Sequence, residues 1–416
     1  MVSAVPGYWH RLQGLRRNAK LYLVSTVFRA TSLGIFSLLF NLYLASLGFD
    51  EPFIGLTNTL LAVFSLVSSL PAGFIGDRIG RKRAMLIGLV GMVLSRLGIA
   101  VFSQGGLIAA SSALFSIVGP LFFASVPAFL TENSTARERA TLFTVDASLM
   151  CFVSFLATTA GGYLPRLFAS VLHVGPESVP AYRGAMFVSA AVMALTLVPV
   201  FGLADTAVPS SSRPAPRLSL RLWRQYFNVR LLAMLFVPRL VFSFGAGLLF
   251  PFLNLFYKER FGVSDATLGW IFGITEVVAG LMTLARGALA ERWGKVRALL
   301  VARLVSMPML LIVGFVPSLP VVSVAQWVRS GLMRLGGPLY VAFAMEQLDD
   351  GERALGGSLL SMGWDVGWSA GPYVSGLLQT AFGFGPLFLA TAALYGVSLG
   401  CIYRFFGRRR GGDEGD

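Results

Sequence analysis

The sequence predicts an all-α membrane protein with about twelve transmembrane helices in two pseudo-symmetric six-helix bundles. Three observations carry this prediction. The mean hydropathy is +0.72 with only 13% charged residues, the chain divides into apolar runs long enough to cross a bilayer, and one constant offset lays the charged hinges of the first half on those of the second.

With 55% hydrophobic residues over 416 positions, the chain lies outside the composition of water-soluble domains. A helix needs roughly 20 mostly apolar residues to cross about 30 Å of hydrocarbon. Cutting the chain at its polar hinges places the spans at about 20–47, 52–75, 83–103, 106–131, 140–165, 183–203, 230–257, 265–289, 298–317, 320–345, 354–380 and 385–405. Glycine, proline and serine recur inside them, as in LASLGF and SAGPYVSG, which suits close helix contact in lipid. A soluble bundle would show polar stripes instead.

A formal net charge of +14 raises nucleic acid as a partner, and its distribution argues against one. Arg11, Arg16, Arg17 and Lys20 precede the first span; Arg78, Arg81, Lys82 and Arg83 follow the second; Arg137 and Arg139 follow the fourth. Arg213, Arg217, Arg221 and Arg224 follow the sixth, Arg292, Lys295 and Arg297 the eighth, Arg353 the tenth, and Arg408 to Arg410 close the chain. The alternate loops are poor in Lys and Arg, with YKERFG and the stretch around Arg166 and Arg183 as the dissenters. This positive-inside asymmetry puts both termini in the cytoplasm. The expected setting is the plasma (inner) membrane, with the lipid bilayer and a small-molecule substrate as partners, the proton as a candidate coupling ion, and the chain acting as a monomer.

The first twenty residues are basic and polar, and the apolar run after them is long enough to span, so the first helix is expected to stay attached. Cys151 and Cys401 fall inside spans without metal-ligand spacing. Neither a disulfide nor a metal site is expected, and no cofactor.

A polar interruption over 204–228, rich in Pro, Ser and Arg, reads as a cytoplasmic linker with a short surface helix near Leu218 to Tyr226. It separates an N-terminal bundle, 1–203, from a C-terminal one, 229–416. Adding 214 to positions in the first half brings Gly48 to Gly262, Gly55 to Gly269, Gly73 to Gly287, Arg78 to Arg292, Gly80 to Gly294 and Arg83 to Arg297. Asp77 and Arg81 meet Glu291 and Lys295; Glu132 meets Glu346; Glu138, Arg139 and Ala140 meet Glu352, Arg353 and Ala354. The chain is therefore a duplicated six-helix unit, and because six is even both copies enter from the same side.

The two hinges share one physics. Gly73 and Gly80 are expected to allow close helix approach and a tight reversal, and Asp77 to sit against Arg81, with Glu132 completing an acid–base–acid cluster. Such a cluster acts as a conformational latch if it forms in one state and breaks in another; the bland alternative is that these charges only mark the cytoplasmic face. Thr135 with Glu138, and Asp349 with Glu352, have the layout of capping boxes and are expected to start spans five and eleven.

The stretch GFIGDRIGRKR, Gly73 to Arg83, closely resembles the signature between helices two and three of the major facilitator superfamily, and the echo GALAERWGKVR is also typical of that family. The resemblance covers the whole chain. It implies a secondary transporter in which two six-helix bundles rock about a site near the membrane midplane.

Ionisable groups deep in the spans are costly and usually face a partner or a water-filled path. Arg29 and Arg239 each lie about nine residues into spans one and seven, about 14 Å deep. Arg329 and Arg334 lie in span ten and Arg96 in span three, and the acids are Asp146, Glu276 and Asp365. The resemblance implies that spans one, four, seven and ten line a central cavity, with Arg29, Arg239, Arg329 and Arg334 there and Asn41, Tyr43, Asn254 and Tyr257 toward the outer mouth. Paired arginines in spans one and seven look like those of organic-phosphate carriers of the superfamily, and a guanidinium fork suits any carboxylate or phosphate. The alternative is that the arginines pair with Asp146, Glu276 or Asp365 and hold the bundles together. The same three acids are the proton-coupling candidates.

Departures from the family patterns limit the substrate reading. Span four lacks the embedded arginine common in proton-coupled members, and the antiporter Gly-Pro motif is only partial in span five. Multidrug or lipid efflux is an alternative, as is a non-transporting sensor on the same scaffold. No Walker loop, dinucleotide turn or nucleophile–base pair is present, so an enzyme is not expected.

Overall fold

The computed structural model describes residues 16–204, 229–349 and 352–407. Within them the chain runs through α1 (Arg17–Ser46), α2 (Glu51–Ile79), α3 (Arg81–Val101), α4 (Gly105–Glu132), α5 (Ala136–Gly161) and α6 (Val179–Leu195). It continues through α7 (Val229–Leu249), α8 (Asp265–Trp293), α9 (Lys295–Phe315), α10 (Leu319–Glu346), α11 (Arg353–Phe382) and α12 (Gly385–Ile402). The expected linker helix at Leu218 to Tyr226, the N-terminal Arg11 and the C-terminal Arg408 to Arg410 lie outside the described residues.

Three spans differ from expectation. Span five ends at Gly161 and resumes as a short helix, Leu164–Leu172. Span six starts earlier, at Val179, because Pro180 is accepted in a first helical turn. Span seven is not continuous: Pro251, which has no N–H to give, forces a 3-10 turn at Phe250–Phe252 before the helix resumes as Leu253–Phe261.

Ten helical segments among the described residues are long and apolar enough to cross a membrane. The helices α10 and α11 are not among them, since they carry Arg329, Arg334 and Asp365 amid glycine and serine. Large apolar side chains such as Val67, Leu284 and Phe382 are 65%, 72% and 68% exposed, as suits surfaces that meet lipid tails.

Over the described residues, one compact unit holds 16–48, 64–204 and 263–276; the other holds 49–63, 229–262 and 277 onward. Each therefore takes one helical segment from the other sequence half.

In the first unit α1 packs on α5 and α6, and α3 on α4 and α6. Tyr22, Met85, Leu89, Met92, Phe122, Phe129 and Met193 form its buried core. Ser32 and Ser189 bind each other's carbonyls at 2.8 and 3.0 Å, joining α1 to α6 with small side chains in place of bulk. The first part of α8 crosses α5 at Gly269, where a Cβ would come within 2.9 Å of the Thr158 and Thr159 carbonyls.

The second unit repeats these pairings: α7 packs on α11 and α12, and α9 on α10 and α12. Its core includes Leu235, Leu299, Leu339, Tyr340, Phe343 and Ile402. The first part of α2 crosses α11 at Gly55, the repeat partner of Gly269, and a Cβ there would collide with the Pro372 carbonyl. Beside it the Thr59 hydroxyl donates to the Ser369 carbonyl at 2.7 Å and accepts from the Tyr373 N–H at 3.1 Å. These are the two backbone groups that would otherwise pair one turn apart in α11.

One further repeat explains charges by capping. Arg139 donates to the Thr131 carbonyl at 3.4 Å and Arg353 to the Met345 carbonyl at 3.1 Å; both arginines and both acceptors are 214 positions apart. Two of the dissenting basic residues, Arg260 and Arg183, are also occupied. Arg260 donates to the Gly314 and Phe315 carbonyls at 2.6 and 2.9 Å, closing the C-terminus of α9 where a cation is favoured. Arg183 binds Ser103 just after α3 and donates to the Tyr43 hydroxyl at 3.4 Å.

Candidate substrate site and hinge clusters

In the first unit the hinge forms an acid–base–acid cluster. Arg81 Nη2 lies 2.5 Å from Asp77 Oδ1 and its Nε 3.7 Å from Glu132 Oε1. The helices α2 and α3 meet at Gly80, whose φ of 93° favours glycine. The expectation for Gly73 is corrected: no atom lies within 4 Å of a Cβ built there, so no helix approaches it. The close approach is at Gly76, against the Ser125 hydroxyl.

In the second unit Lys295 pairs with Glu346 and Gly294 has φ 75°. Glu291 is exposed and forms no ion pair with Lys295 among the described residues, so this copy keeps one of the two contacts. Gly287, like Gly73, faces open space. Arg78 and Arg292 are exposed.

The capping boxes also diverge. Thr135 and Glu138 bond reciprocally at 3.3 and 3.0 Å, satisfying two orphan N–H groups of α5. The second box is corrected: α11 begins at Arg353 with no side-chain cap, and the Asp349 backbone carbonyl accepts from Glu352 and Arg353 instead.

Arg29 is 5% exposed. Its Nη2 donates to the Tyr22 hydroxyl at 3.5 Å, which donates to Asp146 Oδ2 at 3.4 Å; Thr26 donates to Asp146 Oδ1 at 2.7 Å. The guanidinium also lies 5.6 and 5.7 Å from the ring centroids of Phe122 and Phe123, and its Nε has no hydrogen-bond partner. Arg96 is held by rings, 3.2 Å from Phe36 and 4.8 Å from Phe115. Asn41 and Tyr43 are buried in this unit. Glu276 is half-buried, and its carbonyl accepts from Cys151 Sγ at 3.0 Å.

In the second unit Arg239 is half-buried, donates through Nε to the Leu360 carbonyl at 2.9 Å, and lies 5.2 Å from the Trp364 ring and 5.8 Å from Tyr340. Asp365 is within its electrostatic reach without forming an ion pair. Arg329 is 0% exposed. It donates to Gln326 Oε1 at 3.4 and 3.3 Å and lies 4.4 Å from Phe250; Nη1 has no hydrogen bond of good geometry, with Tyr395 nearby. Arg334, five residues on, is exposed and so stands apart from Arg329. Asn254 accepts from the Leu255 N–H, and Tyr257 is buried with its hydroxyl on the Val322 carbonyl at 3.4 Å.

Sequence reading missed Arg303, which lies 4.0 Å from the Phe242 ring, donates to Ser398 at 3.2 Å and leaves Nε unpartnered. Its signal was an arginine lying inside the apolar run of span nine. Tyr22, Tyr340 and Tyr395 were missed because a tyrosine in an apolar run carries no mark of its partner.

The chain is similar to the multidrug resistance protein MdtG of Dickeya zeae (strain Ech586), 23% identical over 423 residues and covering 95% of each protein. Among solved structures, the nucleoside transporter NupG superposes with a TM-score of 0.76 at 13% identity, covering 94% of this chain and 99% of that one. A bacterial homolog to the human lysosomal transporter Spinster superposes at 0.70 with 16% identity and 94% coverage of each. The family model of the Major Facilitator Superfamily matches residues 22–243 and again 235–416, and the chain belongs to that superfamily of multi-pass membrane transporters.

Proposed function

We propose that the chain is a secondary transporter that moves a small organic solute bearing an anionic group, exposing it to the two sides of the membrane alternately. The carrying observation is Arg329, wholly buried with a terminal nitrogen lacking a well-formed hydrogen bond. Neither it nor Arg29, Arg239 or Arg303 has a carboxylate within ion-pair distance among the described residues. Burying an uncompensated cation costs several kcal/mol, and aromatic faces return only about 0.5–2 kcal/mol each. A carboxylate or phosphate on the solute supplies the missing counter-charge.

Asp146, Glu276 and Asp365 are the groups proposed to load and release a proton. The hinge clusters are proposed to act as latches, a bias of a few kcal/mol being enough to set a two-state balance. Basic loops at alternate helix ends support cytoplasmic termini in the inner membrane, and the chain is proposed to work as a monomer.

Multidrug or lipid efflux is the second reading, favoured by the MdtG name of a relative that aligns over 95% of this chain. Proteoliposomes loaded with radiolabelled acids, amines and neutral solutes separate the two. Saturable flux of acids, increased by an imposed pH gradient and lost in Arg239→Gln, supports the anion carrier. Flux of amines and neutral solutes alone, intact in that variant, would replace it with the efflux reading.

A further inference from the structure

On α11 the rings of Trp364 and Trp368 lie one turn apart and nearly parallel, with centroids 5.9 Å apart at 16°. They stand 11 and 15 residues beyond Arg353, about 16 and 22 Å along the helix. Tryptophan in membrane proteins collects at the interfaces, so two at this depth need another reason. Asp365, next to Trp364, is half-buried. A carboxylate facing hydrocarbon there is strongly disfavoured, so Asp365 turns to a partner or a polar medium, and Arg239 lies within its electrostatic reach. Beside the tryptophans, on the flank turned away from Asp365, the helix packs closely at Gly367, against the Leu240 carbonyl, and at Gly371, against Gly247.

Around the tryptophans the second unit builds an aromatic surface with a cation set into it. Trp364 lies 6.4 Å from Phe242 and Trp368 6.0 Å from Phe250. The Arg239 guanidinium lies over Trp364 with its Nε committed to the Leu360 carbonyl. Its two terminal nitrogens make no protein hydrogen bond among the described residues, and Asp365, within its electrostatic reach, forms no ion pair with it. A half-buried guanidinium held at its stem and open at its fork is arranged to take a planar oxyanion through two parallel hydrogen bonds.

We propose that this surface binds a planar aromatic acid, its carboxylate on the Arg239 fork and its ring against Trp364 and Trp368. The inference rests on the anionic-solute reading above and names the class of solute. Ring faces attract one another in offset or edge contact, and burying them favours a flat hydrocarbon over a puckered one of equal charge.

The test is equilibrium binding to the full-length chain in nanodiscs, with 1-naphthoate, cyclohexanecarboxylate and 2-naphthylmethanol as probes. 1-Naphthoate is expected to bind at least tenfold more tightly than cyclohexanecarboxylate, and 2-naphthylmethanol more weakly than either. Trp368→Leu is expected to remove the preference between the acids, Trp368→Phe to restore most of it, and Arg239→Gln to weaken both acids. Equal binding of the two acids by the wild type would overturn the aromatic site and leave the anion reading standing. Tight binding of 2-naphthylmethanol, unchanged in Arg239→Gln, would overturn the anion reading. Binding of none of the three overturns both.

Discussion

Arg29 reaches Asp146 through one hydroxyl: Tyr22 accepts from the guanidinium at 3.5 Å and donates to the carboxylate at 3.4 Å. The two charges thus share a neutral intermediary inside the first unit. Removing it leaves both ends short of a partner, which costs about 1–3 kcal/mol per buried polar group. Tyr22→Phe is expected to lower the thermal midpoint of the purified transporter by several degrees, and Thr26→Ala by less, since Asp146 keeps Tyr22. Equal midpoints for Tyr22→Phe and the wild type would remove the relay.

The two hinges are expected to respond unequally. Asp77 is paired with Arg81, whereas Glu291 is exposed and makes no ion pair with Lys295 among the described residues. Asp77→Asn is therefore expected to shift the distribution of conformers measured by spin-label distances, while Glu291→Gln leaves it in place. The effect on stability is about 1 kcal/mol or less, because the Asp77 side chain is 58% exposed and screened. A shift of the same size in both variants contradicts the asymmetry.

Glycines at the hinge separate by role. Gly73→Ala and Gly287→Ala meet open space in a helix and are expected to be neutral or to stabilise by up to about 1 kcal/mol. Gly80→Ala places a Cβ at φ 93° and is expected to destabilise by about 1–2 kcal/mol. Thermal unfolding of the three variants checks the order, and a Gly73→Ala penalty as large as that of Gly80→Ala goes against it.

Gly55 and Gly269 cross neighbouring helices at backbone contact. Leucine at either position is expected to push the helices apart, lowering stability by about 1–3 kcal/mol and abolishing transport at normal membrane insertion. Unaltered flux in Gly55→Leu would contradict the close crossing.

Much of the fold was legible because lipid leaves the chain few choices: a segment of about 20 apolar residues has to be a helix. The offset of Gly55 to Gly269 and of Arg81 to Lys295 gave the duplication, and the helix crossings follow it, as does one of the two ion pairs at the hinge. The helix ends were less legible. Pro251 breaks span seven, and the second capping box is absent although its residues are present, because a cap depends on backbone angles that composition does not encode. The site was legible only as depth. Arg29, Arg239 and Arg329 stood out as charges far from water, but their companions Tyr22, Phe250 and Leu360 are ordinary residues of apolar runs. Nothing local marks a tyrosine as a bridge or a carbonyl as the anchor of an arginine.

The most direct test is the thermal shift of the purified wild type and Arg329→Gln across matched organic acids, amines and neutral solutes. Stabilisation of the wild type by acids alone, absent from Arg329→Gln, is the expected result. Stabilisation by amines or neutral solutes alone, or by acids to the same degree in both proteins, contradicts an anion held by the Arg329 guanidinium.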